Sequence, residues 1–212
     1  MNTQKISKEL SERMELLSRR GWDLPAIEKR FKNFIENGIP KKRLDRQAIL
    51  RNKAEILDRV QTRAEEYCYL NRSCAKGSVL ALLEEFGLGN MDIIKAMAPF
   101  PGLAMTGGNC GPVSGGLIAI GLFFSDEGLT DYRNPLPYIA ARAFLDRFEK
   151  VMGSLLCPEI QDQLLGRRYD PFAGLEELEA FDQSGAQEKC AVAPGLGAKI
   201  AAEIMIESLE KD

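Results

Sequence analysis

Apolar residues that return at the helical period, with hardly any stretch alternating apolar and polar, constrain this 212-residue chain more than any other feature. Between about 42 and 69, Leu44, Ile49, Ile56, Leu57, Val60, Ala64 and Tyr67 recur in this way and predict one long amphipathic helix. Its apolar face fits packing or a homodimer interface. Ahead of it, helices are expected at roughly 5–19 and 25–37. The second has Asp23 to cap it, Pro25 in its first turn and Gly38 beyond its end.

From Asn71 the sequence becomes denser in apolar residues. Asn71 or Ser73 can cap a helix that Gly87 ends, and a short helix follows Asn90. The segment PFPGLAMTGGNCGPVSGG is rich in Pro and Gly and reads as a loop, after which GGLIAIGLFFS reads as a small-residue apolar helix suited to close packing. Further helices are expected at 136–152, 158–165, 174–181 and 194–209. The fold class is therefore all-α: a compact helical bundle (71–212) with an N-terminal basic helical arm (1–70).

The charge distribution follows that division. Through Arg63, Lys and Arg outnumber Asp and Glu by 16 to 9; afterwards the acids lead by 22 to 12, for a net charge of −3. Because the arm's charges alternate in sign and form no basic block, it is expected to pack on an acidic body, its own or a partner's, with no nucleic acid involved. No apolar run is long enough for a bilayer, and residues 1–15 lack the apolar centre of an export signal. The chain reads as cytoplasmic, with no membrane partner.

In a reducing compartment, five cysteines suggest metal ligation or redox chemistry more than structural disulfides. The chain has no histidine, which removes Ser-His-Asp and Cys-His nucleophiles, His-ligated zinc and His-ligated haem. Sulfur and carboxylate remain. Cys74, Cys110, Cys157 and Cys190 each fall at or just before an expected helix start, where unpaired N–H groups and the helix dipole favour thiolate. Their intervals of 36, 47 and 33 residues contain no C-x-x-C pair. Spacing alone leaves metal ligands and small buried core residues as equal alternatives.

Four pieces of sequence then tell together: NRSCAKGSVLALLEEFGL at Cys74, MTGGNCGPVSGGLIAIGL at Cys110, FEKVMGSLLCPEIQDQLLG at Cys157 and EKCAVAPGLGAKIAAEIM at Cys190. In order and context they resemble the redox-active family C_GCAxxG_C_C, over about 71–208. The chain departs from the named pattern at Asn109, where the family name has Gly, and at Gly111-Pro112-Val113-Ser114, which replaces the named Ala-x-x-Gly, with glycines only at 115 and 116. The family is similar to the iron–sulfur part of split-Soret cytochromes. The resemblance implies a 2Fe-2S or 4Fe-4S cluster held by Cys74, Cys110, Cys157 and Cys190 in a helical domain, without the haem. Cys68 lies outside the matched pattern and reads as a half-buried helix cysteine.

Three functions follow from the same cysteines: a cluster-binding protein for electron transfer or redox sensing, working with a redox partner protein; a metal-free thiol–disulfide oxidoreductase with a low-pKa cysteine; or a structural zinc site. Other features read more plainly. The glycines near Cys110 lack the Lys-Ser or Lys-Thr of a phosphate loop. Met97 and Met105 read as packing, Glu84, Glu85, Glu176, Glu177 and Glu179 as solvated helix faces, and Arg167 with Arg168 as a surface pair. No second constellation suggests a substrate pocket.

Overall fold

The structure is a computed structural model that describes residues 7–125 and 133–210. Its helices, in chain order, are α1 (Lys8–Ser18), α2 (Leu24–Asn37), α3 (Arg46–Arg51), α4 (Lys53–Asn71), α5 (Cys74–Glu85), α6 (Met91–Ala96), α7 (Gly111–Phe124), α8 (Leu136–Met152), α9 (Cys157–Leu165), α10 (Leu175–Gln183), α11 (Ala186–Lys189) and α12 (Val192–Leu209). Among the described residues the only extended pairings are isolated bridges, Lys41 with Leu88 and Asn109 with Leu156. The chain is all-α. None of its described helices is long and apolar enough to cross a membrane.

Several ends follow the local signals. Ser7, Asp23, Ser73 and Asn90 cap α1, α2, α5 and α6 through side-chain oxygens that accept backbone N–H groups, and Gly153 and Gly166 end α8 and α9 in the left-handed region. The helix expected at 5–19 is seen from Lys8, its first two residues lying outside the described ones. Two expectations change. The long helix over 42–69 is two helices: Asp45 caps α3, and Asn52, at φ −107° and ψ 20°, interrupts the run before α4. The stretch GPVSGG, read as loop, is the first turn and a half of α7. Pro112 suits a helix start, and Gly115 and Gly116 lie where a side chain would run into Ser78 and Phe144. The helix α11 had no counterpart among the expectations.

The centre is a group of mutually packed helices. α5 lies between α4 and α7; α12 packs on α4, α5 and α7; and α8 covers α7 and α12. Leu10, Ile27, Val60 and Tyr67 of the first four helices share one buried core with Val79, Leu82, Ile200 and Met205. Close approach depends on small residues. A Cβ at Gly77 on α5 would lie 2.7 Å from the Cys68 nitrogen and 2.8 Å from the Ala64 carbonyl oxygen, so α4 and α5 touch backbone to backbone.

Charge ties the outer helices to this core. Glu65 of α4 is fully buried, and Arg13 of α1 grips both its oxygens at 2.6 Å while Arg20 reaches it at 2.8 Å. Arg20 and Arg30 share Glu66. Arg59 and Arg63 reach Glu85 and Glu84 of α5, and Lys53 pairs with Glu210. Arg13, Arg20, Arg30, Lys53, Arg59 and Arg63 thus meet acidic groups of the same chain, and Glu84 and Glu85 are ion-pair partners and not solvated charges.

Removing one member of a buried ion group leaves the others desolvated and unpaired, which costs about 3–5 kcal/mol. Glu65→Ala should therefore lower the unfolding free energy, read from denaturant titration, by an amount in that range, and Glu65→Gln by less because it keeps a hydrogen-bond acceptor. A change below about 1 kcal/mol for Glu65→Ala would show that the cluster does not anchor α1.

Candidate functional site

The four cysteines singled out in the sequence occupy related but unequal positions. Cys74 is the first residue of α5, Cys110 the residue before α7, and Cys157 the first residue of α9. Cys190 differs: it closes the short α11 and stands two residues before α12. All four line one cavity of about 530 Å³, and Cys68 of α4 lines it as well. None of the five is in a disulfide.

Backbone geometry explains why Cys110 and Cys157, 47 residues apart, become neighbours. Around the bridge of Asn109 with Leu156, the Cys110 N–H donates to the Leu155 carbonyl at 2.8 Å, and the Cys157 N–H donates to the Gly108 carbonyl at 2.9 Å. The starts of α7 and α9 are pinned together by these two bonds. Cys74 joins them because α5 and α7 meet at their first residues. A Cβ at Gly111 would lie 2.5 Å from Cys74 Sγ and 2.6 Å from the Ala75 nitrogen. The missing side chain at Gly111 is therefore what admits the Cys74 sulfur here.

The loop between α6 and α7 closes another side of the cavity. Gly102, Leu103, Ala104 and Met105 are all left-handed, with φ of 55°, 48°, 58° and 60°. For non-glycine residues this costs roughly 1–2 kcal/mol each, so the turn is strained. It is held by bonds from Ala104 N–H to the Pro99 carbonyl and from Met105 N–H to the Pro101 carbonyl. The turn lays Gly102 against the Cys157 thiol, at a distance where an added Cβ would be 3.2 Å from the sulfur. Ala104 and Met105 line the cavity, whereas Met97 is wholly buried in the core. Pro101, Phe172 and Phe181 complete a mostly apolar wall.

Titration of the thiols is set by one another and by burial more than by helix ends. The Cys110 thiol is held well above its ordinary value, because it lies within hydrogen-bonding reach of Cys157 and Cys74 and is buried. Cys157 is its counterpart. Accepting from Cys110 pulls Cys157 down, and the Arg168 guanidinium adds to this against the opposing effect of burial. Burial, then the nearness of Cys74, pushes both Cys190 and Cys68 up. The sequence predicts that helix N-termini favour thiolate at every position; the shifts here have other causes, since Cys157 is lowered by Cys110 and Arg168, Cys110 is raised by its thiol contacts and burial, and Cys190 is raised by burial.

Among the described residues, no group of three Cys, Asp or Glu side chains is arranged to hold a single metal ion. The thiols line the cavity, with Cys110 in contact with Cys157 and Cys74. Arg168 joins the site through its effect on Cys157, while Arg167 pairs with Glu177 outside it. Cys68 was the residue that sequence pattern undervalued. The available signal was Ala64 and Cys68, two small residues one helical turn apart, which form the face that receives Gly77.

A family model described as "Putative redox-active protein (C_GCAxxG_C_C)" matches residues 72–204, a span that contains Cys74, Cys110, Cys157 and Cys190 and leaves out Cys68. Neither a curated protein nor a solved structure is matched.

Two outcomes test this geometry. Gly111→Ala should destabilise the protein by about 1–3 kcal/mol, because the helix starts must part; an unchanged melting temperature would contradict the close approach. Cys110→Ala removes the donor that favours the Cys157 thiolate. In metal-free protein, the midpoint of iodoacetamide alkylation at Cys157, read by peptide mass spectrometry across a pH series, should then move to higher pH. A midpoint that stays or falls would contradict the pairing.

Proposed function

Since the chain belongs to the C_GCAxxG_C_C family of redox-active proteins, we propose that its cysteine cavity holds an iron–sulfur cluster, with Cys74, Cys110, Cys157 and Cys190 as ligands. The observation that carries this reading is that thiols from four separated segments line one largely apolar cavity of about 530 Å³. Thiolates are the donors such clusters take, and no histidine competes. The four cysteines suit the proposed group in donor chemistry.

When bound, an iron–sulfur cluster supplies one-electron oxidation and reduction. The chain's own residues do the rest. The Cys110 thiol must give up the proton that it shares with Cys157 and Cys74 before all three can ligate, so loading releases protons and weakens at low pH. Arg168 offsets the negative charge that gathers at Cys157. The left-handed turn at 102–105, with Phe172 and Phe181, supplies an apolar wall beside the sulfurs. A redox partner protein would exchange electrons at the open side of the cavity.

A second reading has its own support. The contact of Cys110 with Cys157, with one thiol raised and the other lowered, suits a dithiol pair that cycles to a disulfide without metal.

Anaerobic reconstitution with ferrous iron and sulfide, followed by metal analysis and visible absorption, separates the two. The cluster reading expects bound iron with matching sulfide and a brown colour, and a severalfold loss of iron in Cys74→Ser, Cys110→Ser and Cys157→Ser, with Cys190→Ser also reduced. A colourless, iron-free protein that forms a Cys110–Cys157 disulfide with mild oxidant would overturn it in favour of the dithiol.

A further inference from the structure

The fifth thiol is unexplained by the family match, which begins at residue 72 and so excludes it. Its position is not that of an ordinary core cysteine. Cys68 is only 5% exposed, yet it lines the same cavity as the other four. It is brought there by the tightest helix contact in its neighbourhood. A Cβ at Gly77 would lie 2.9 Å from Cys68 Cβ, and Gly77 sits one turn beyond Cys74 on the same face of α5. Cys68 and Cys74 therefore stand side by side across the α4–α5 contact. Cys190 approaches from the other direction, on the junction of α11 and α12, and both Cys68 and Cys190 feel the charge of Cys74.

The two flanking thiols differ in their positions. Cys68 lies within a helix of 19 residues that is packed on α5 and α12, whereas Cys190 lies at the junction of α11 and α12 and is partly exposed. Cys68, buried and beside Cys74, stands where it can serve when the Cys190 thiol is removed.

We propose that Cys68 is a fifth soft-metal donor of this cavity, able to take the place of Cys190 beside Cys74. The site is then a five-thiol site in which three positions are fixed and one is shared between Cys68 and Cys190. This inference rests on the cysteine cavity as a metal-thiolate site, and its tests separate its failure from that of the cluster reading.

In anaerobic reconstitution, Cys190→Ser should keep about half or more of the wild-type iron, whereas Cys68→Ser/Cys190→Ser should fall below about a tenth. Equal iron in the single and double variants overturns the proposal. Should the double variant fail to fold, by the loss of its helical circular dichroism, the single variant decides alone. In reconstituted Cys190→Ser, Cys68 should be protected from iodoacetamide and become reactive on chelation; equal labelling with and without iron overturns the proposal. Should wild-type protein take up no iron, the cluster reading fails by itself and cadmium is the probe. Titrated with Cd²⁺, wild type should then show a cadmium–thiolate ultraviolet band that falls by about a fifth in Cys68→Ser. An unchanged band would leave Cys68 outside the donor set and overturn the proposal.

Discussion

The contact on which the rest of the structure depends is the meeting of α5 with α4 on one side and α7 on the other, made possible where side chains are missing. At Gly77 the backbone of α4 occupies the space of a methyl group, and at Gly111 the Cys74 sulfur and the Ala75 backbone do so. Helices that approach this closely leave little freedom in their register. Because Cys74 and Cys110 sit at the starts of α5 and α7, fixing the register also fixes two thiols at the same end of the bundle. The bridge between Asn109 and Leu156 adds the third, with no strand needed.

Electrostatics then works differently in the two halves of the molecule. Around Glu65, charge is buried but paired, with two arginines of α1 and its following turn closing on one carboxylate. Around the cysteines, ionisable groups are buried in an apolar cavity with Arg168 the chief nearby cation for Cys157. The thiols meet the cost of burial by sharing protons, so that Cys110 stays protonated and Cys157 tends to ionise. The strained turn at 102–105 is the second sign of a built site, since three consecutive non-glycine residues in the left-handed region persist only where the surroundings hold them.

Much of this was legible in the sequence, because capping and stop signals act within a few residues. Asp23, Ser73 and Asn90 cap the helices they precede, and 136–152 matches α8. The readings that changed share a cause. Asn52 breaks a run whose apolar period continues through it, and GPVSGG is helical although its glycines and proline signal a loop. In both cases tertiary packing overrides local propensity: the glycines of α7 are there for Ser78 and Phe144, not for a turn.

The sequence by itself determined the all-helical class, the family and the four matched cysteines, since each is written in period, order or local context. Only the tertiary structure decided that a fifth thiol shares their cavity, that Cys110 and Cys157 are hydrogen-bonded neighbours, and that thiol contacts and burial raise Cys110 while burial raises Cys68 and Cys190. These depend on distances between segments far apart in the chain. No local pattern encodes them, because they arise only when glycines let three helix backbones come into contact.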